Sequence, residues 1–169
     1  VPMIDGEDTS QYLIDRSLMR PRSLLDLIGH CRGYAVSLGH DRIQQEDIQK
    51  GMAAFSNDLL SEINLEIRDV YPDYGELLYA FLGSPAKFNR EALESRFSNY
   101  AVPADAITSL IAMLFWFGFL GFVWTNGEPR FIYSFHYNMK VMNGAHDQLV
   151  RNGITYAINP AFIPALGLT

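Results

Sequence analysis

The chain has 169 residues with a formal net charge of −6, and 49% of its residues are hydrophobic. This is the composition of a globular protein rather than a disordered one, and the acidic balance disfavours nucleic-acid binding by bulk positive charge. Cys31 is the only cysteine, which excludes an internal disulfide and a cysteine-rich zinc site. Since Val1 is not an initiator methionine and no secretory signal follows it, we expect a piece of a longer cytoplasmic protein.

The first twenty residues predict a tail followed by a short helix. Residues 1–8 show no periodic apolar pattern and are predicted to be a tail. A helix over about 9–19 follows, with Thr9 or Ser10 as its N-terminal cap. Pro21 then starts a new element, because proline suits the first turn of a helix, where no amide hydrogen is needed.

Two long helices are predicted next. The first runs from Pro21 towards Gly39, since glycine favours the end of a helix. The second runs from Gln45 to Val70 and is ended by Pro72; its apolar residues are spaced by three or four positions, close to the helical period. The apolar faces comprise Leu24, Leu25, Leu27, Ile28, Cys31, Ala35 and Leu38 in the first helix, and Ile48, Met52, Phe55, Leu59, Ile63, Ile67 and Val70 in the second.

The rest of the chain mixes short helices with strands. Asn126-Gly127 is typical of a hairpin turn, and Asn89 is suited to cap a helix. The predicted elements are helices over 74–82, 90–99 and 104–117, strands over 119–125 and 130–135 joined by the turn 126–129, a helix over 138–150, a strand over 154–158 and a last helical turn within 159–166.

Helix, turn, helix and two-stranded hairpin follow one another in the order of a winged helix. The sequence therefore predicts a mainly α protein in two domains. The first is a helical bundle over residues 1–72, and the second is a winged-helix-like α+β domain with a small β-hairpin over residues 73–169.

One uncharged stretch, residues 106–127, is long enough to cross a bilayer. Gly118 and Gly121 interrupt it and a hairpin turn ends it, so we expect a buried helix followed by a strand and no membrane span. Core packing is favoured over base stacking for its aromatic residues because no basic residue lies among them. These residues are Phe115, Trp116, Phe117, Phe119, Phe122 and Trp124.

The chain contains neither the G-x-x-x-x-G-K-[ST] nor the G-x-G-x-x-G phosphate loop, so it cannot bind a nucleotide by that device alone. Its only basic cluster is the segment RSLMRPR, Arg16 to Arg22. One interpretation is a solvated helix junction. The other is an arginine aimed at a phosphate bound by a neighbouring domain, because the guanidinium group matches phosphate geometry.

The run MRPRSLLDLIGHCRGYAVSLGHDRIQQEDIQKGMAAFSNDLL resembles the helical lid of AAA+ and related P-loop ATPases. It is most similar to a bacterial group of these ATPases that is distantly like the origin-recognition class. The shared features are an R-P-R-x-L-L context, here with Ser23 where aspartate is common, followed by Ile43 and the pattern Asp47-Ile48-x-x-Gly51. The resemblance covers about residues 10–70.

In such lids an arginine senses the terminal phosphate, which implies Arg22, and Arg20 second, as nucleotide-sensing residues. The resemblance implies that ATP is bound by a parent protein, while this chain holds no cofactor of its own. Members of that class often carry a winged helix after the lid. We therefore expect a non-catalytic C-terminal region of a P-loop ATPase that couples nucleotide state to protein–protein interaction or self-assembly.

The alternative function is that of a DNA-binding winged-helix regulator. The helix over 104–117 would then have to present basic or amide side chains to base edges, yet residues 97–129 contain no Lys or Arg. We therefore expect contact with protein rather than with DNA. Tyr133, Phe135 and Tyr137 alternate along the second hairpin strand and form the candidate interaction surface.

Other polar residues are expected to be structural or solvated. Glu62, Glu66 and Asp69 share one face of the long helix without a partner at matching spacing, which favours a solvated face over acid–base catalysis or cation binding. The four histidines, including His136 and His146, match no zinc signature. No nucleophile–base pair is evident, so we expect that the chain is not an enzyme.

Overall fold

The computed structural model describes residues 2–169 and is mainly helical, with small antiparallel sheets, as predicted. The helices are α1 Thr9–Arg16, α2 Pro21–Ser37, α3 Gln45–Val70, α4 Arg90–Asn99, α5 Ala104–Trp116, α6 Met139–Val150 and α7 Ile163–Leu166. The strands are β1 Met3–Ile4, β2 Glu7–Asp8, β3 Lys87–Asn89, β4 Leu120–Val123, β5 Pro129–Arg130 and β6 Thr155–Ile158.

The chain divides into two compact units. The first unit contains the residues up to Leu60 together with Pro160–Ala165, and the second contains Ser61–Asn159 together with Leu166–Thr169. The division falls within the continuous helix α3. The domains predicted from the sequence, 1–72 and 73–169, stay a prediction.

Residues 2–8 do not form the predicted tail, and Val1 lies outside the described residues. Strands β1 and β2 pair in an antiparallel hairpin, with Met3 opposite Asp8. Asp5 and Gly6 both have positive φ angles, 50° and 86°, which is the turn that matches the twist of two antiparallel strands. The cap of α1 is Asp8 rather than Thr9 or Ser10. Its carboxylate accepts hydrogen bonds from the backbone amides of Ser10 and Gln11.

Both ends of α2 follow the sequence prediction. Pro21 occupies the first turn after Arg20, which has an extended backbone. At the other end Gly39 has a φ angle of 71°, and the His40 amide donates to the Ala35 carbonyl at 2.9 Å. This left-handed glycine cap closes the helix with its last carbonyls satisfied.

The core of the first unit lies on one stripe of α2 and one stripe of α3. Leu27, Cys31 and Ala35 are buried from α2, at intervals of four residues. The matching stripe of α3 is buried as predicted, from Ile48 through Met52, Phe55 and Leu59. Ser56, also buried, accepts a hydrogen bond at its hydroxyl from the Ala165 amide at 3.1 Å, so the segment Pro160–Ala165 is fixed to the same core.

The second unit is built on a four-stranded antiparallel sheet in the order β3-β6-β4-β5. Tyr156 of the inner strand β6 lies opposite Phe88 on one side and Phe122 on the other. The predicted core packing of the aromatic run is confirmed for Phe115, Phe119 and Phe122, which are buried. Phe117 and Trp124 are half-buried, and Trp116 has 49% of its surface exposed. Within residues 2–169 no helix is long and apolar enough to span a bilayer.

Two predicted elements have a different type of secondary structure in the protein. The second hairpin strand is only Pro129–Arg130, and Ile132–Phe135 forms a 3-10 helix. Phe131, Ile132 and Phe135 are all buried, and in a 3-10 helix, with three residues per turn, Ile132 and Phe135 lie on the same side. The predicted helix over 74–82 is two 3-10 turns, Pro72–Tyr74 and Leu77–Phe81, separated near Gly75.

Candidate functional site

The outer side of α2 carries apolar residues that the first unit leaves in solvent. Leu25 is 70% exposed and Val36 is 69% exposed. Gly29 and Gly33 lie between them in the helix, and a Cβ at either glycine would meet no atom within 4 Å. Arg22, Leu25, Gly29, Gly33 and Val36 recur at intervals of three or four residues, so they share one side of the helix; we call them the α2 outer face.

The predicted nucleotide-sensing arginines occupy different positions at the start of α2. Arg22 is exposed in the first turn and stands at one end of the α2 outer face. In the part of the chain that the structure describes, no hydrogen bond or ion pair fixes its guanidinium group. Arg20 is half-buried and is the N-terminal cap residue, with a φ angle of −108°. Arg22 is therefore the arginine that is better placed to meet a group outside the unit.

The polar residue of the lid-like motif, Asp47, lies at the start of α3. The Asp47 carboxylate is buried, accepts the Gln44 amide at 2.8 Å and lies 2.9 Å from His40 Nδ1. Burial would raise the pKa of this carboxyl group, but the hydrogen bonds from Gln44 and His40 outweigh it and lower the pKa. A carboxylate in the first turn that accepts the cap residue's amide is one half of a capping box. Asp47 thus stabilises a helix start.

The candidate interaction surface at Tyr133, Phe135 and Tyr137 is largely taken up by contacts within the second unit. Phe135 is buried against Phe122, with ring centroids 5.7 Å apart. The Tyr133 hydroxyl accepts a hydrogen bond from the Asn159 side-chain amide at 3.2 Å. Tyr137 packs edge-on against the exposed Trp116 at 6.3 Å. The role of these three residues as an interaction surface stays a prediction, with the half-buried rings of Tyr133 and Tyr137 as its accessible parts.

A small cavity of about 220 Å³ lies in the second unit between α5 and α6. His146 Nε2 lies 2.8 Å from the hydroxyl of Tyr156, which is fully buried. Burial lowers the pKa of His146 and raises the pKa of Tyr156 to about 12. Both groups are therefore neutral near pH 7, and the tyrosine hydroxyl can donate to the imidazole. The pair satisfies two buried polar groups, and the hydroxyl has no exposed surface from which to attack a substrate.

The structure brings no set of metal ligands together within residues 2–169: no group of three or more His, Cys, Asp or Glu side chains could hold an ion. Glu62, Glu66 and Asp69 are exposed on α3. His136 is exposed and ends the 3-10 helix in a left-handed conformation. His146 is instead engaged by Tyr156.

Sequence reasoning missed the α2 outer face because it assigned one broad apolar face to the whole helix. Leu25 and Ile28 were placed there together with Leu27, yet only Leu27 is buried. A signal was present, because apolar residues occur on nearly all sides of this helix while two glycines four residues apart interrupt one side. Such a pattern indicates close approach of another backbone.

Residues 1–64 match the family model of the FunZ-associated C-terminal helical domain. The match covers the first unit as far as Leu60 and the start of the second, but not the segment Pro160–Ala165. The chain is thus similar over this part to a C-terminal helical domain. No curated protein and no solved structure matches the chain significantly.

Proposed function

We propose that this chain is the non-catalytic C-terminal region of a larger P-loop ATPase, in which it couples nucleotide state to protein–protein interaction. The observation that carries the proposal is the α2 outer face, an exposed apolar stripe with the exposed Arg22 at one end. Exposed apolar surface of this kind marks a contact with another protein surface. The similarity of residues 1–64 to a C-terminal helical domain supports a position after other domains.

The proposed occupant of the α2 outer face is the nucleotide-binding domain of the same protein. Gly29 and Gly33 leave room for a neighbouring backbone to approach closely, while Leu25 and Val36 provide apolar area. Arg22 would then meet the bound triphosphate, since guanidinium–phosphate contacts are strong and directional. A terminal phosphate that contacts Arg22 would favour the docked state over the undocked one, as any ligand with differential affinity does.

The test is ATP hydrolysis by the longer protein with Arg22→Ala, compared with Arg32→Ala. Arg32 is an exposed arginine of the same helix, ten residues further along and therefore roughly 15 Å away. We expect Arg22→Ala to change turnover or ATP affinity by about tenfold or more, the range of a charge-assisted contact, and Arg32→Ala to leave both unchanged. Equal behaviour of the two variants would remove the nucleotide-sensing role.

Docking by the α2 outer face is tested separately with Leu25→Asp, which places a negative charge on the apolar stripe. We expect this variant to weaken the contact with the nucleotide-binding domain while the fold of the chain is kept, because Leu25 lies in solvent. Limited proteolysis between the two domains measures the docked fraction. A DNA-binding role, the alternative predicted from the sequence, would be supported instead by binding of duplex DNA at low salt that weakens as salt is raised.

A further inference from the structure

A second surface feature lies in the second unit and uses no residue of the α2 outer face. It is a groove of about 630 Å³ between the C-terminal part of α3 and the chain that follows it. This volume is in the range of sites that bind small molecules or short peptide segments, roughly 300 to 1,000 Å³. The residues that matter for its chemistry are Asn64, Leu65, Arg68, Asp73, Glu76 and Tyr79.

Asn64 is the unusual residue of this groove. It is only 9% exposed, and its Oδ1 atom is buried without a hydrogen-bond partner, one of two such side-chain atoms found in residues 2–169. An unpaired buried acceptor destabilises a fold, so an apolar residue would serve the core better. The amide plane turns readily about its last side-chain bond. A ligand in the groove that brings an N–H group can therefore satisfy the acceptor.

The charge of the groove indicates which ligand it favours. The segment 61–76 carries Glu62, Glu66, Asp69, Asp73 and Glu76 against the single basic residue Arg68, a net charge of −4 (1 − 5). Asp73 and Glu76 line the groove itself and are exposed, and no ion pair within residues 2–169 neutralises them. Arg68 also lines the groove, so the lining carries two negative charges against one positive charge, and a concave surface with a negative excess attracts cationic ligands.

The remaining wall provides apolar contact. Leu65 is about half exposed and Tyr79 more than a third exposed, although both are large apolar side chains. The aliphatic part of Arg68 packs on Gly75, where a Cβ would come within 3.0 Å of it. Long basic side chains bury their methylene groups on such surfaces and keep the charge at the end, and a tyrosine ring also attracts a cation.

We propose that the groove binds an extended peptide segment that carries a lysine or arginine. The peptide backbone donates an N–H to Asn64, the methylene stem of the basic side chain lies on Leu65 and Tyr79, and its charged end meets Asp73 and Glu76. Asn64 lowers the stability of the free chain, and the reason for its presence is that its side chain binds the peptide backbone. This proposal goes beyond the coupling role of the first unit, and either can fail without the other.

The first experiment is an NMR titration of the ¹⁵N-labelled chain with the peptide acetyl-Gly-Arg-Gly-amide at low salt. We expect saturable shifts of the Asn64 side-chain amide and of the backbone amides around Arg68 and Tyr79. The peptide acetyl-Gly-Glu-Gly-amide should cause no such shifts, and neither should AMP. Absence of shifts with the arginine peptide, equal shifts with the glutamate peptide, or shifts with AMP alone would each overturn the proposal.

The second experiment compares Asn64→Leu with the unaltered chain. Leucine removes the unpaired acceptor and keeps a similar volume, so we expect a higher Tm together with a loss of peptide binding of about tenfold or more. A higher Tm together with weaker peptide binding is expected only if the role of Asn64 is to bind a ligand. A lower Tm would show that the Asn64 amide is bonded within the fold, and unchanged binding would show that Asn64 does not read the peptide; either result contradicts the proposal.

The third comparison separates the groove from general surface charge. The double variant Asp73→Asn/Glu76→Gln should weaken peptide binding by about tenfold, and the control Glu62→Gln/Glu66→Gln should have little effect. Both pairs remove two negative charges from the same segment, but only the first pair lines the groove. If the two double variants weaken peptide binding equally, long-range electrostatic attraction explains the effect and the proposal is wrong.

Discussion

Gly51 of α3 lies against the backbone of Cys31 of α2 so closely that a Cβ at residue 51 would stand 2.7 Å from both the amide nitrogen and Sγ of Cys31. Only glycine fits at such an approach, so this pair marks a close contact of the two helices. Gly51 is also the last residue of the lid-like pattern that begins at Asp47. Since Asp47 caps α3 and Ile48 is buried, the whole pattern is explained by the packing of the first unit.

The substitution Gly51→Ala is expected to destabilise the first unit. The added methyl group has no free space, so α2 and α3 must move apart, and overpacking of this kind costs about 1–3 kcal/mol. Urea unfolding followed by circular dichroism gives the free energy of unfolding. The matched control is Gly29→Ala in α2, which meets open space and should stabilise by roughly 0.5–1 kcal/mol through helix propensity. If both substitutions stabilise the chain, the close contact does not exist in solution.

Cys31 is expected to be unreactive in the folded chain. Its thiol is buried, and burial raises its pKa to about 11, so little thiolate is present at neutral pH. Labelling with a disulfide reagent should therefore be limited by opening of the first unit, and Gly51→Ala should accelerate it. The urea-denatured chain, which should react at once, gives the reference rate. Immediate labelling of the folded chain would show that the α2–α3 contact opens freely.

Asp47 is expected to make stability depend on pH under acidic conditions. Its pKa is lowered in the folded state from an ordinary value of 3.8, so its contribution is complete above that value and is lost as the pH falls through the lower folded pKa. The stability lost between pH 5 and pH 3 should be smaller in Asp47→Asn than in the unaltered chain. The exposed neighbour Asp41 gives the control Asp41→Asn. Identical acid profiles for all three proteins would argue against the capping role of Asp47.

The parts of the fold that could be predicted are those in which a local sequence signal determines the secondary structure. The period of α3 predicted its bounds, Gln45 and Val70, because six of its apolar positions are buried at helical spacing, four in the first unit and two in the second. The hairpin at residues 3–8 was missed although Asp5-Gly6 carries the turn signal, because its strands have only two residues each. Strand β6 lies between β3 and β4, a long-range pairing that no local pattern encodes.

The proposed surfaces show the same division. Arg22 could be named as a candidate because the lid-like motif that contains it is visible in the sequence. Leu25 was assigned to the core, since hydrophobic identity does not reveal which side of a helix is covered. Asn64 could not be singled out from the sequence, because an asparagine within a helical pattern is ordinary. Only the structure shows that its buried oxygen lacks a hydrogen-bond partner. Such a deficit is a property of three-dimensional packing alone.

Gly121 of β4 is the second position where only glycine fits. A Cβ there would overlap the Arg130 carbonyl oxygen and would come within 2.6 Å of the Phe131 ring. Gly121→Ala should therefore force β5 away from β4 and destabilise the second unit by about 1–3 kcal/mol. Gly144→Ala in α6, where a Cβ meets no atom within 4 Å, is the control and should be neutral or stabilising. Equal Tm values for the two variants would contradict the packing of this hairpin.

His146 is expected to control the stability of the second unit between about pH 7 and pH 5. Burial among the rings of Phe115, Phe122 and Tyr156 lowers its pKa from the ordinary 6.5, assisted by Arg90, and the nearby Asp147 only partly offsets this. The unfolded chain therefore binds a proton at His146 more readily than the folded chain. The contribution of the neutral imidazole is complete above pH 6.5 and is lost as the pH falls below that value towards the folded pKa, by about 1.4 kcal/mol for each pKa unit of depression.

The pair His146→Gln and His136→Gln isolates this effect. Glutamine at residue 146 can still bond to the Tyr156 hydroxyl but does not titrate, so its free energy of unfolding should change less with pH than that of the unaltered chain. His136 is exposed, and its substitution should leave the profile unaltered. Urea unfolding at intervals between pH 7.5 and pH 5 measures the slopes directly. If His146→Gln keeps the full pH dependence, the histidine is protonated at no cost in the fold, and the hydrogen bond from Tyr156 is not formed in solution.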